Sequence, residues 1–417
     1  MMNKVVCMFC LSLFCFACVN ESNNEIHSSY SFKEIPTHCI EGGEANLFVS
    51  NSGHVFLSWV EYLNDTTDAL KFSVLKEDVW SDPRTIAKGS DWFVNWADFP
   101  SIVAYTDDSK SLAAHWLQKS TSGTYDYDIR ISQSQDGGVS WKPSFVPHRD
   151  SIEAEHGFVS LLPLPDNKIF ASWLDGRNTK TGSHTQNNHE HNNHGHGGSM
   201  TLRCATFDKE GKLYDEFELD SRVCDCCQTS AALTDKGVIV AYRDRSDDEI
   251  RDISVVRNFN GEWTSPQVVF NDNWKISGCP VNGPDIVAKD STVAIAWYSM
   301  ADGDPEVKVS FSNNSGESFL PPIKIDNGNP LGRVDIILLS DQEAMVSWME
   351  EVGDEALIKA IRISALSTIG DSFIVAKSAS SRSSGFPRMV NKNKNIYFAW
   401  TAVDSTTKVK TAFLRIN

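Results

Sequence analysis

The pentapeptide VAIAW at residues 293–297 decides the fold, because similar pentapeptides recur along the whole chain. Each is an apolar strand whose last two residues are a small residue, or once a histidine, and an aromatic one. The aromatic ends lie roughly 50–70 residues apart, at Trp59, Trp116, Trp173, Tyr242, Trp297, Trp348 and Trp400. An apolar strand precedes each pentapeptide and an alternating strand follows it. The sequence therefore predicts one supersecondary unit repeated along the chain.

Four short antiparallel strands in each unit of about 50 residues are typical of a β-propeller. The repeats predict an all-β fold of seven four-stranded blades, with six as the alternative if one unit is irregular. The last unit, residues 385–417, has room for three strands, and YSFKEIP at residues 30–36 is expected to add the fourth. The repeated aromatic residues then pack between blades rather than contact a ligand.

Two turns carry a more specific motif. Residues 134–141, SQDGGVSW, match S-x-D-x-G-x-x-W, and residues 312–319, SNNSGESF, are a variant of it. In such a turn the Asp or Asn accepts from backbone N–H groups, glycine adopts a positive φ and the aromatic residue anchors the hairpin. The residues concerned are Ser134, Asp136, Gly138, Trp141, Ser312, Asn314, Gly316 and Phe319. These turns resemble the Asp boxes, or BNR repeats, of sialidases, which implies a sialidase-like propeller.

The N-terminus, MMNKVVCMFCLSLFCFAC, is typical of an export signal, with one lysine followed by an apolar run. Because Ala17 precedes Cys18, we expect lipidation at Cys18 and an exported lipoprotein of the cell envelope, periplasmic or surface-exposed. Processing at Cys15, a plain secretory signal and an uncleaved anchor are the alternatives. Residues 1–18 are then the signal, 19–27 a polar tether and 28–417 a single propeller domain.

The net charge of −17 argues against nucleic acid and anionic lipid as partners. We therefore expect contact with the membrane through the lipid anchor alone. The expected ligand is a small molecule, a metal ion or a glycan.

Propeller topology sends the loops between blades, and those between second and third strands, to one face. This loop-rich face is expected to collect cysteine, histidine and charged side chains. Thiolate and imidazole suit copper and zinc, so the leading hypothesis is a transition-metal site, copper before zinc. Its expected ligands are Cys224, Cys226, Cys227 and Cys279, with His148 or His156 assisting. Disulfides, for instance between Cys279 and one of the other three, are the first alternative. A reactive thiol is the second, because Arg222, Arg243 and Arg245 nearby would lower the pKa of a thiol.

A histidine-rich insertion at residues 180–199 is expected on the same face. It contains His184, His189, His191, His194 and His196. Such a tract can recruit a transition metal loosely, and the alternative is a loop expansion without a role.

The resemblance to sialidases implies a second function, an exo-sialidase-like glycoside hydrolase. Arg243, Arg333 and Arg388 would clamp the substrate carboxylate, and Asp150 or Asp175 would act as the acid. The early Arg-Ile-Pro segment of sialidases is absent, and no tyrosine is marked as the nucleophile. A third interpretation is a glycan-binding or scaffold propeller without catalysis, in which the cysteines form disulfides.

Overall fold

The computed structural model describes residues 30–107, 109–180 and 198–416. The predicted signal, the lipidation site Cys18, the tether and the five histidines of the insertion lie outside these residues. Within the described part of the chain, no helix is long and apolar enough to cross a membrane.

The chain forms an all-β ring of seven antiparallel blades, and the six-blade alternative is wrong. The N-terminal strand is β1 (Phe32–Ile35). Blade 1 contains β2 (Gly42–Val49), β3 (Val55–Asn64), β4 (Thr67–Lys76), the short β5 (Val79–Trp80) and β6 (Arg84–Gly89). Blade 2 contains β7 (Ser101–Ala104), β8 (Leu112–Lys119) and β9 (Tyr127–Ser134). Its outer position is taken by a bridge between Ile131 and Phe145.

The next three blades follow the same order. Blade 3 contains β10 (His156–Pro163), β11 (Lys168–Asp175), β12 (Thr201–Asp208) and β13 (Phe217–Asp220). Blade 4 contains β14 (Ser230–Thr234), β15 (Gly237–Arg243), β16 (Ile253–Phe259), β17 (Glu262–Trp263) and β18 (Gln267–Val268). Blade 5 contains β19 (Asp285–Lys289), β20 (Thr292–Ser299), β21 (Glu306–Ser312) and β22 (Ile323–Lys324).

The last two blades complete the ring. Blade 6 contains β23 (Pro330–Leu338), β24 (Glu343–Val352), β25 (Glu355–Ser364) and β26 (Thr368–Ala379). Blade 7 contains β27 (Arg388–Lys392), β28 (Asn395–Val403) and β29 (Thr407–Arg415), and β1 pairs with β29 as its outer strand. The expected closure by the N-terminal segment is therefore confirmed. Short 3-10 helices lie at Arg177–Lys180, Ala301–Gly303 and Arg382–Ser384.

The hydrophobic core lies between blades, as predicted from the repeated pentapeptides. One cluster, for example, joins Ala294 and Ala296 of β20 to Val346 and Trp348 of β24. In three blades the tryptophan Nε1 donates to a carboxylate two residues later: Trp59 to Glu61 at 2.7 Å, Trp173 to Asp175 at 2.9 Å and Trp348 to Glu350 at 3.1 Å. A buried indole N–H needs such an acceptor, so these carboxylates belong to the blade architecture.

The inner strands are connected by side chains that accept from the backbone of the next blade. The bonds run from Phe158 N to Asp98 at 2.7 Å, from Ile336 N to Asp285 at 2.9 Å and from Met389 N to Asp335 at 2.5 Å. Because strands in a propeller pair only within blades, these bonds help fix the rotation between neighbouring blades.

The two motif turns share one hydrogen-bond geometry. Asp136 Oδ1 accepts from Ser140 N at 2.9 Å, and Asn314 Oδ1 accepts from Ser318 N at 3.0 Å. Gly138 has a φ of 82°, and a Cβ there would come within 2.3 Å of the Phe72 ring. This position therefore needs glycine for two reasons, its backbone conformation and the close approach of a neighbouring side chain.

Candidate functional site

The loop-rich face carries a histidine cluster, which we define as Asp128, His148, Asp150, His156 and Asp175. Asp128 lies at the start of β9, and His148 and Asp150 come from the loop between blades 2 and 3. His156 begins β10 and pairs in register with Asp175, the last residue of β11. Antiparallel strands therefore bring residues distant in sequence to the same edge of two adjacent blades.

The two imidazoles of this cluster are held from one side by a single carboxylate. Their rings are stacked, with centroids 3.7 Å apart and an interplanar angle of 7°. His148 Nδ1 lies 3.1 Å from Asp150 Oδ1, and His156 Nε2 lies 2.9 Å from Asp150 Oδ2. Both histidines are buried. Since an ionised carboxylate only accepts, Asp150 selects the tautomers that carry hydrogen on these two nitrogens.

The remaining nitrogen of each ring has no hydrogen-bond partner among the described residues. His148 Nε2 and His156 Nδ1 face the same oxygen, Asp128 Oδ1, at 3.6 and 3.7 Å. In the tautomers that Asp150 selects, these nitrogens present lone pairs to a carboxylate, which is repulsive. The side chain of Asp128 is 27% exposed, whereas His156 is fully enclosed, so the opening to solvent lies at Asp128.

Negative charge exceeds positive charge around the imidazoles. Arg177 donates to Asp175 Oδ2 at 2.6 Å and to Glu216 at 2.7 Å, and its Nε lies 3.0 Å from Asp150. Burial alone would lower the pKa of His156, but hydrogen bonding to Asp150 and the surrounding carboxylate charge raise it. The cluster therefore favours an added cation, which protons or a metal ion would supply.

A second group on the same face, the cysteine cluster, consists of Cys224, Cys226, Cys227 and Cys279. Cys226 and Cys279 form a disulfide between the loops that flank blade 4. Cys224 and Cys227 are free and buried beneath it. Cys224 Sγ lies 3.4 Å from Cys227 Sγ and 3.9 Å from Cys279 Sγ. The disulfide alternative is therefore correct for one pair, and Cys279 is the residue that takes part in it.

An arginine reaches the buried thiols. Arg251 NH1 donates to Cys224 Sγ at 3.2 Å, and Arg251 NH2 donates to Glu249 at 2.9 Å. The hydrogen bond with Cys227, together with the charge of Arg251, lowers the pKa of the Cys224 thiol despite its burial. Burial raises the pKa of Cys227. Cys224 is therefore the thiol of this pair that ionises first.

The structure thus separates the six predicted metal ligands. Three-residue groups with metal-ligating atoms within 4.8 Å of one another include Asp128 with His148 and His156, and Cys224 with Cys226 and Cys279. No such group among the described residues mixes histidine with cysteine. Two of the sulfur ligands are also bonded to each other. A single centre that uses all six residues is therefore not what the fold builds.

The three arginines expected to clamp a carboxylate have other partners. Arg243 is 1% exposed and donates to the carbonyl oxygens of Asn282, Arg251 and Tyr298. Arg333 is also buried and donates to Ser384 Oγ at 2.6 Å. Arg388 pairs with Asp335 at 2.9 Å. Each guanidinium group is engaged by different partners, and the common clamp stays a prediction.

The two predicted acids are held as carboxylates. Burial opposes ionisation of Asp150, but hydrogen bonds with His148 and His156 lower its pKa. Burial likewise opposes ionisation of Asp175, and the hydrogen bond from Arg177 together with the charge of His156 lowers its pKa. Neither residue is therefore suited to donate a proton at neutral pH. Asp175 also occupies the architectural position after Trp173, where Glu61 and Glu350 stand in other blades.

Glu155, which precedes His156 in the sequence, is a carboxyl whose surroundings favour the protonated form. Burial and the nearby charge of Asp98 raise the pKa of Glu155 to about 8, and burial raises that of Asp98 to about 7. The Tyr127 hydroxyl lies 3.0 Å from Glu155 and 3.2 Å from Asp98. One hydroxyl donates one hydrogen, so at neutral pH at least one carboxyl keeps a proton for the Tyr127 oxygen.

The axis of the propeller contains a cavity of about 250 Å³ lined by the inner strands. Its polar lining includes Asp98, Asp285, Asp335 and Arg388. Asp98, Asp285 and Asp335 accept hydrogen bonds from the next blade, and Arg388 pairs with Asp335.

Comparisons with known proteins support the fold. No protein-family model matches the chain, and no curated protein matches it by sequence. A solved ulvan lyase, which is a polysaccharide lyase, is 10% identical with a TM-score of 0.57, over 91% of this chain and 95% of that one. The endosialidase of phage phi92 is 10% identical with a TM-score of 0.50, over 93% of this chain and 69% of that one. The expectation of a sialidase-like propeller is therefore confirmed for the fold.

Asp128, Glu155 and Tyr127 were not selected as site residues from the sequence. Asp128 lies within the alternating strand YDIRISQS, and nothing in that strand marks it as different from other polar positions. Tyr127 begins the same strand. Of these three residues, Glu155 alone has a sequence signal for a site role, because it lies in EAEHG next to His156.

Proposed function

We propose that the protein binds a divalent transition metal, zinc ahead of copper, through His148, His156 and Asp128 on the loop-rich face. The observation that carries the proposal is a pair of buried imidazole nitrogens that lack a hydrogen-bond partner within residues 30–107, 109–180 and 198–416 and lie 3.6 and 3.7 Å from one carboxylate oxygen. Buried polar atoms normally have partners, and a pair of lone pairs facing a carboxylate calls for a cation.

The spacing of the three atoms suits a metal of the size of zinc. Ligands at the usual 2.0–2.1 Å from a tetrahedral zinc are about 3.3–3.4 Å apart. The two nitrogen–oxygen separations are 3.6 and 3.7 Å, so these atoms are close enough to share one ion. Because the two rings are stacked, an imidazole would also have to tilt so that both in-plane lone pairs point at that ion. Three protein ligands leave a fourth position for water or for a ligand, which is the pattern of zinc sites that do chemistry.

The surroundings supply the support that metal-binding histidines usually have. A histidine ligand commonly donates its other N–H to a carboxylate, which fixes the tautomer and makes the ring a stronger ligand. Asp150 does this for both rings, and Arg177 in turn holds Asp150. Because thiolate is not among these ligands, soft Cu(I) is not favoured, and we propose zinc first because tetrahedral zinc commonly takes histidine and carboxylate ligands.

The test is the metal content of the mature protein, purified without an affinity tag or chelator. The five histidines of the insertion are first replaced by asparagine, so that loosely held metal does not obscure the result. In this background we expect about one zinc per chain, lost in His156→Gln and Asp128→Asn and kept in the control His54→Gln, whose ring is exposed. Less than a tenth of an equivalent in the background protein, with no rise in Tm on adding zinc, contradicts the proposal.

A second candidate function is the processing of an acidic glycan, and Glu155 is the observation that favours it. A carboxyl that keeps its proton at neutral pH is what a glycosidase uses as general acid. Both fold relatives described above are named for action on polysaccharides or sialosides. We expect any such activity to fall at least a hundredfold in Glu155→Gln. Sialosides and uronate-containing polysaccharides are the substrates to assay, and an equal rate in this variant contradicts the role of Glu155.

A further inference from the structure

The cysteine cluster is separate from the proposed metal site. The exposure of its cysteines decreases from the surface inwards. Cys279 is exposed and Cys226 is half-buried, whereas Cys224 and Cys227 are 0% and 1% exposed. A disulfide therefore lies at the surface directly above a buried pair of thiols. The Cys224 sulfur is in van der Waals contact with the disulfide and with the other thiol, because it lies 3.9 Å from Cys279 Sγ and 3.4 Å from Cys227 Sγ.

The two free cysteines differ in what surrounds them. Cys224 Sγ accepts a hydrogen bond from the guanidinium of Arg251, which favours the thiolate, and the thiolate is the form that attacks a disulfide. Arg251 is itself buried and is fixed by Glu249, so its position is independent of solvent. Cys227 has no such cation in hydrogen-bond contact among the described residues, and its sulfur lies 3.4 Å from that of Cys224.

We propose that these four cysteines form a thiol–disulfide relay that moves a disulfide between the surface and the interior. In the first step the Cys224 thiolate attacks Cys279 Sγ. A bond forms between Cys224 and Cys279, the bond between Cys226 and Cys279 breaks, and Cys226 leaves as a thiolate that takes up a proton from water.

In the second step Cys227 loses its proton to water and attacks Cys224 Sγ. The Cys224–Cys227 disulfide forms, and Cys279 leaves as a thiolate and is protonated. The buried dithiol has then been oxidised by two electrons and the surface disulfide reduced by two, so no external oxidant is needed. The product presents an accessible dithiol, Cys226 and Cys279, whose chemical partner is a disulfide.

Two other features of the sequence fit this exchange. Cys224, Cys226 and Cys227 share one loop, so the attacking and leaving sulfurs stay close without a change of blade positions. Cys279 comes from the other loop, residues 270–284, where Gly278 precedes it and a Cβ at Gly278 would meet nothing within 4 Å. Cys279, whose sulfur is attacked in the first step, is therefore exposed and has open space beside it in its loop.

The first experiment uses the wild-type protein and maps its disulfides over time. The oxidised protein is incubated at pH 8, samples are quenched with acid and alkylated, and the linked peptides are identified by mass spectrometry. The expected result is a growing fraction of Cys224–Cys227 linkage matched by alkylation of Cys226 and Cys279. If the linkage stays between Cys226 and Cys279 over a day while Cys224 and Cys227 are alkylated only after unfolding, the relay is wrong.

The second experiment tests the role of Arg251 and the source of the partner. Arg251→Gln is expected to slow the appearance of the inner linkage at least tenfold, while Cys204→Ser, a change of a buried cysteine in β12, leaves the rate unchanged. Glutathione disulfide and insulin serve as a small and a protein disulfide. Reduction of glutathione disulfide alone assigns a small-molecule partner, and cleavage of insulin assigns a protein partner. If the rearranged protein reduces neither glutathione disulfide nor insulin, the proposed exchange activity is wrong.

Discussion

The histidine cluster and the cysteine cluster both lie where loops of adjacent blades meet, and each combines buried reactive atoms with a member that reaches solvent, Asp128 in the first and Cys279 in the second. They differ in what their reactive atoms face. The sulfurs face one another and an arginine, so they have partners within the cluster. The imidazole nitrogens face a carboxylate and have no hydrogen-bond partner in the described residues. The sulfur atoms therefore have partners within their own cluster, whereas the charge around the imidazole nitrogens favours an added cation.

Removing an imidazole should have the largest effect on metal binding. In His156→Gln we expect zinc affinity to fall more than a hundredfold, since a three-ligand site loses a ligand and the partner of Asp150. Isothermal titration with zinc measures this change. Cys226→Ser is the matched change in the other cluster and is expected to leave the affinity within twofold. Equal losses in the two variants would show that the clusters act as one site.

Removing the disulfide should affect stability and not metal. Cys226→Ser together with Cys279→Ser opens a loop with a sequence separation of 53, which is expected to cost about 2–5 kcal/mol of unfolding free energy. Denaturant unfolding of both proteins measures the difference, with zinc content determined on the same samples. A stability loss accompanied by loss of zinc would contradict the separation of the two clusters.

A change behind the metal ligands should have a smaller effect. Asp150→Asn offers one acceptor and one donor where the carboxylate offers two acceptors, so one imidazole loses its selected tautomer. Zinc affinity is expected to fall about 10–100-fold, as for other outer-shell partners. The control Asp302→Asn changes an exposed carboxylate far from the cluster. An unchanged affinity in Asp150→Asn would remove Asp150 from the site.

The smallest expected effect concerns stability, whose dependence on pH should have opposite signs in the metal-free and zinc-bound protein. Since the pKa of His156 is raised, its protonated form stabilises the metal-free fold fully below pH 6.5, and that contribution is lost as pH rises through the folded pKa. Zinc needs neutral imidazoles, so its stabilisation grows over the same range. The rise in Tm on adding zinc should be near zero at pH 5.5 and a few degrees at pH 8.

His156→Gln is the control for this titration. Its Tm should respond to zinc equally little at both pH values. A wild-type response that is largest at pH 5.5 would contradict the assignment of His156 as a ligand.

The blade count, the closing strand and the inter-blade core could be predicted because they follow from a repeated pattern. Each repeat carries its own apolar strand, so the count survives even where blade 2 lacks a regular fourth strand. The face that carries the loops follows from the same pattern. The pattern therefore predicted that the cysteines and the histidine cluster, apart from Asp128, lie on one face.

The grouping within that surface could not be predicted from the sequence. Whether Cys279 meets Cys226 or His156 depends on the rotation between blades, which the inner hydrogen bonds of Asp98, Asp285 and Asp335 set only in the folded ring. The partners of the arginines could not be predicted for a related reason. A guanidinium in a loop sequence looks available, but Arg243 uses its donors on backbone carbonyls of neighbouring loops.

X-ray absorption at the zinc edge of the zinc-loaded protein tests the central claim most directly, because it reports the atoms bonded to the metal. The account predicts nitrogen and oxygen neighbours only, at about 2.0–2.1 Å. The same spectrum is expected in Cys226→Ser. Sulfur neighbours at about 2.3 Å would place the metal in the cysteine cluster and contradict the account.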